Sequence, residues 1–162
     1  MRKIIYILIS VGLFSCNEPA KKQIIEEIVP RQLIIYEMDT IKRKDDYKLT
    51  IKNKDSLIQY EYINLVDSTK NMDFKFIKSS NKIHFGNTEF LLEEKNLIQN
   101  KYKFDRYETK PVTDGMGSLY FNLDYGVLGF DNGWGMQFHY LTEENKSQFD
   151  LPLFYIIGDS EQ

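Results

Sequence analysis

Tyr47-Lys48-Leu49-Thr50-Ile51-Lys52 alternates apolar and polar residues with a period of two. That is the pattern of a strand with one face in a core and the other in water. The alternation continues in both directions. Ile58, Tyr60 and Tyr62 are separated by Gln59 and Glu61, Phe74 and Phe76 flank Lys75, and Ile83 and Phe85 flank His84. Upstream, Leu33-Ile34-Ile35-Tyr36 is a compact apolar run. Downstream, residues 90–92, 98–104 and 119–125 continue the pattern. Residues 153–157 read as a last strand, at an edge because of Pro152. Turn-rich clusters at 52–56, 67–71, 79–81 and 86–87 separate the runs. Short strands so punctuated predict an all-β fold: one antiparallel β-domain, built as a sandwich or as a partly open barrel or meander.

The densest apolar stretch is 119–141. Trp134, Met136, Phe138 and Tyr140 share one strand face, and Asn132 and Gly133 mark a hairpin before them. A two-residue turn pairs Asp131 with Trp134. A three-residue loop pairs Phe130 with Trp134 and Leu128 with Met136, setting apolar against apolar with Gly133 in the left-handed position. The second register is preferred. Phe74, Phe76, Phe121, Trp134, Met136 and Phe138 are assigned to the core. Residues 143–148 read as a polar loop or a single helical turn.

The N-terminus follows a different rule. Met1-Arg2-Lys3 is cationic, residues 4–14 are apolar apart from Ser10 and Gly12, and Ser15 precedes Cys16, the only cysteine. A basic n-region, an apolar h-region and a small residue before a cut describe a secretory signal peptide. About 11 apolar residues fall well short of the ~20 needed to cross a bilayer as a helix. With Leu13, Ser15 and Cys16 in place, the stretch resembles the lipobox of bacterial lipoproteins. The resemblance covers the leader alone. It implies that Cys16 becomes the acylated N-terminus and anchors the chain to a membrane, and Asn17 in place of Asp favours the outer membrane. The division that follows is residues 1–15 as signal peptide, 16–31 as lipidated N-terminus and tether, and 32–162 as the β-domain. Within the tether, Ile24, Ile25, Ile28 and Val29 recur at helical spacing up to Pro30, but an extended link is preferred.

Loss of the leader leaves 147 of the 162 residues, one ordinary domain, and moves the formal charge from −3 to −5. A mildly acidic body lacks the basic stripe of a nucleic-acid binder. Committing Cys16 to lipid leaves no thiol for a disulfide, thiol catalysis or a zinc site. Stability must come from an ordinary core, which 11 Tyr and 11 Phe supply.

Candidate chemistry is sparse. His84 and His139 are the two imidazoles and have no metal-pair spacing; His139, opposite the aromatic face, is expected at the surface or rim. No metal or cofactor is expected. Glu93 with Glu94 and Glu143 with Glu144 read as solvated turns. The long break at 109–118 contains Asp114, Gly115, Met116 and Gly117, too poor in acids for a calcium loop or phosphate cradle, and stands as the candidate recognition loop. The function expected is a monomeric, non-catalytic envelope lipoprotein that binds a protein or cell-wall partner. The alternatives are a carrier of an apolar ligand on an open sheet face, and an envelope hydrolase using His139 or His84.

Overall fold

A computed structural model describes residues 25–100, 102–111 and 115–155. Ten antiparallel strands form one closed sheet: β1 (Ile25–Glu37), β2 (Thr40–Asn53), β3 (Leu57–Asn64), β4 (Met72–Ile77), β5 (Lys82–Phe85), β6 (Thr88–Gln99), β7 (Tyr102–Thr109), β8 (Leu119–Asn122), β9 (Gly126–Asp131) and β10 (Met136–Leu141). Each strand pairs with its sequence neighbours, and β1 closes the sheet on β10 by pairing Gln32 with Leu141 through Glu37 with Met136. The domain is therefore all-β and antiparallel. Of the architectures the alternation allows, it is an up-and-down barrel, neither a sandwich nor an open sheet.

Barrel diameter grows with strand number, and eight strands already give an interior that side chains just fill. Ten strands need larger fillers, and the inward positions supply them. Tyr47, Tyr60, Tyr62, Phe74, Phe90, Tyr107, Phe130 and Tyr140 are all at most 2 % exposed. Their rings meet edge-on, as Tyr60 does on Phe121 at 5.4 Å and Tyr62 on Phe74 at 5.8 Å, or stacked, as Phe130 does on Phe138 at 4.6 Å. Such pairs contribute about 0.5–1.5 kcal/mol each beyond area burial. Two phenols span the interior: the Tyr60 hydroxyl donates to the Leu123 carbonyl and that of Tyr62 to the Val127 carbonyl, both at 2.7 Å. Burial pushes both phenols far above the ordinary range.

Most outward positions are charged or polar, as Lys52 with Glu61 (2.7 Å) and Lys75 with Asp73 (3.5 Å) show, with Ile28, Ile41 and Ile98 exposed among them. This reverses the apolar outer band of a barrel that spans a membrane. Among the described residues no helix is long and apolar enough to cross one. One wall is apolar and covered. Phe104, Tyr120, Leu128 and Leu141 form a second apolar cluster outside the barrel, covered by Phe149 and Leu151 after β10.

Several expectations need correction. Residues 25–31 are the first half of β1 and not part of a tether or helix: they pair with β2 from Ile25 opposite Asn53 to Arg31 opposite Tyr47. In this half β1 has no β10 partner, so Pro30 sits on an open edge where its missing N–H costs nothing. Residues 98–104 are two strands joined by a turn with Asn100 at φ 48°. Glu93 and Glu94 lie in β6 beside a register shift, exposed but not in a turn. Residues 151–155 form no strand; they lie across the outer wall, where the Phe154 N–H donates to Gln137 Oε1 at 2.5 Å and Gln137 Nε2 donates to the Tyr155 carbonyl at 3.0 Å.

The hairpin register is also wider than expected. Phe130 pairs with Phe138 and Asp131 with Gln137. The Asn132 side chain accepts from the N–H groups of Trp134 (2.8 Å) and Met136 (3.1 Å), holding a larger loop in which Gly133 and Gly135 both have φ near +80°. Trp134 is consequently in the loop and 66 % exposed, not core.

Candidate functional site

The residues singled out by sequence do not come together. Cys16 and Asp114 lie outside the described residues. Gly115, Met116 and Gly117 are docked onto the β9–β10 hairpin. The Met116 carbonyl accepts from Thr109 Oγ1 at 2.7 Å, and Met116 packs partly buried on the core. A side chain on Gly133 would place Cβ 1.9 Å from the Gly115 carbonyl oxygen, and one on Gly117 would place it 1.8 Å from Asp131 Oδ2. This part of the loop packs against the hairpin, with residues 115–118 half-buried.

The two histidines are equally separate. His84 is on the outer face of β5, its Nε2 3.7 Å from Glu89, whose carboxylate is hydrogen-bonded to Lys82 at 3.1 Å. His139 is 3 % exposed, contrary to the surface position expected. Alternation places it on the outer wall, beside Tyr36 of β1 at 5.0 Å, but the chain after β10 covers that wall and sets Phe154 6.1 Å from it. Its Nε2 has no hydrogen-bond partner among the described residues, and burial lowers its pKa to about 4. Neither imidazole lies in a group of three or more potential metal ligands among the described residues.

The unusual chemistry lies at the open half of β1. Arg31 shares its strand face with Val29, Leu33 and Ile35 and points inward, yet it is charged and only 6 % exposed. Its Nη1 donates to the Pro30 carbonyl at 2.9 Å and its Nη2 to the Tyr125 carbonyl at 3.3 Å. Nε has no partner among the described residues, nor has Oε1 of the adjacent Gln32. Among the described residues Arg31 makes no ion pair; desolvation lowers its pKa, opposed electrostatically by the nearby Tyr62, Glu27 and Tyr125. A buried polar atom without a partner costs about 1–3 kcal/mol, and more when the group is charged. An unpaired buried guanidinium is thus expensive for the fold.

Two clefts meet at this residue. One, of about 480 Å³, runs between Glu27, Tyr102, Asp124 and Tyr125; the other, of about 350 Å³, runs between Gln32, Asp46, Tyr47 and Leu65. Both are bounded by Pro30, Arg31, Thr142 and Glu144. Their shared wall after β10 is fixed by its own hydrogen bonds: Thr142 N–H to Asn145 Oδ1 at 2.8 Å, Asn145 N–H to Thr142 Oγ1 at 3.0 Å, and Lys146 N–H to the Thr142 carbonyl at 3.0 Å. Sequence reading missed this site because it assigned Arg31 to the tether. The available signal was a charged residue two and four places before Leu33 and Ile35, on their side of a strand.

Compared with known proteins, the chain matches no family model, no curated protein and no solved structure.

Proposed function

We propose that this chain is a lipid-anchored binding protein of the bacterial cell envelope, attached to the outer membrane through acylated Cys16 and acting without catalysis as a monomer. Its partner is an envelope protein or a cell-wall component, received at the clefts beside Arg31. The observation that carries this reading is the contrast between a barrel interior occupied by its own aromatic rings and a buried guanidinium that, among the described residues, is bonded by two carbonyls and no carboxylate. A filled interior does not support the carrier alternative, and a histidine sealed under the outer wall does not support the hydrolase.

Anchoring is tested by feeding cells a labelled fatty acid. The wild type should take up label and Cys16→Ser should not; equal labelling of the two contradicts the anchor. Binding outside the barrel is tested by solvent extraction of the full-length chain. A stoichiometric apolar compound held in the interior would restore the carrier.

A further inference from the structure

We propose that the clefts around Arg31 take a short peptide bearing a free carboxylate and a free amine, with the carboxylate against Arg31 and the amine among the rim acids. This deepens the binding reading above and rests on it. The guanidinium is a planar fork whose geometry matches a carboxylate. In Arg31 that fork is more than nine-tenths buried, and two carbonyls engage one N–H each of Nη1 and Nη2 while Nε has no partner. Among the described residues, no carboxylate is hydrogen-bonded to the Arg31 fork.

A bare anion is not what the rim favours. Glu27, Asp124 and Glu144 line the larger cleft, and Asp46, Glu143 and Glu144 the smaller. Inorganic phosphate would meet these carboxylates before it reached Arg31, whereas an ammonium group is attracted to them. A neutral glycan would accept from Arg31 but leave its charge unpaired. A zwitterion answers both halves of the site. A peptide also brings N–H donors for Gln32 Oε1, the second partnerless atom here. The wall at 142–146 is already hydrogen-bonded in place, so little ordering is needed on binding.

The test is calorimetric titration of the purified full-length chain with alanyl-alanine, its C-terminal amide, its N-acetyl form, inorganic phosphate and chitotriose. Alanyl-alanine should saturate, and capping either end should weaken binding by about tenfold or more, because each cap removes one charge-assisted contact. Arg31→Met should weaken it by a similar factor, and Glu27→Gln or Glu144→Gln, both exposed, by about threefold. The capped peptides keep the test decisive even if Arg31→Met fails to fold. Equal binding of free and capped dipeptides overturns the proposal. Saturation by chitotriose or phosphate alone, lost in Arg31→Met, overturns the peptide while leaving the binding reading standing. No saturation by any probe overturns both.

Discussion

The barrel buries one charged side chain towards each end, and treats the two oppositely. Asp131, 5 % exposed at the end of β9, accepts from the Gly133 N–H at 2.6 Å and from the Tyr155 hydroxyl at 2.5 Å. Its own backbone ties down the long loop, donating to the Ser118 carbonyl at 2.9 Å and accepting from the Gly117 N–H at 3.1 Å. Arg31, 6 % exposed in the open half of β1, has two carbonyls, a partnerless Nε and a cleft on each side. A buried charge with its hydrogen bonds made holds a structure together. One left incomplete costs stability, and a ligand is the means by which that cost is recovered. Asp131 is accordingly a lock and Arg31 a site.

The largest effect should come from crowding the lock. In Gly117→Ala the new Cβ falls 1.8 Å from Asp131 Oδ2, an oxygen that cannot retreat without releasing Tyr155. A loss of about 3–4 kcal/mol in denaturant unfolding is expected, at the upper end for overpacking. Unchanged stability would mean that Asp131 does not hold the loop.

Acid should reveal the neighbouring buried imidazole. His139 stays neutral in the fold down to about pH 4, while the unfolded chain takes up its proton near 6.5. The stability due to neutral burial is therefore fully present above about pH 6.5 and is lost progressively as pH falls to about 4, by on the order of 3 kcal/mol. The difference in stability between wild type and His139→Leu should follow this course; a flat difference would place the imidazole in contact with solvent. Tyr155→Phe should cost less, about 2 kcal/mol, since Asp131 keeps its bond from Gly133. The removed hydroxyl is one that burial, then Asp131, holds up at about pH 12, so it donates throughout the neutral range.

Sequence carried the strands better than it carried their closure. Alternation at 47–52, 58–62 and 74–76 is local, and each of these runs is a strand with the expected side inward. Closure depends on Gln32 meeting Leu141, a pairing across most of the chain that no local pattern encodes. His139 was hidden at shorter range: its outward position was legible, but the path by which residues 149–155 fold back over it was not. In the hairpin, the side chain of Asn132 widened the loop beyond what Gly133 alone suggests. Arg31 was concealed by Pro30, which reads as the end of an element and is in fact an edge position within one.

The most direct test of the contrast is one thermal unfolding series comparing Asp131→Ala with Arg31→Met in the full-length chain. Removing the lock leaves the Gly133 N–H and Tyr155 hydroxyl without their acceptor, and should lower the melting temperature by about 10 °C. Replacing an unpaired buried cation by an apolar side chain of similar length is often neutral or stabilising, so Arg31→Met should melt within about 3 °C of wild type or above it. A drop in Arg31→Met as large as that in Asp131→Ala would contradict the account, because Arg31 would then be holding the barrel together and not waiting for a partner.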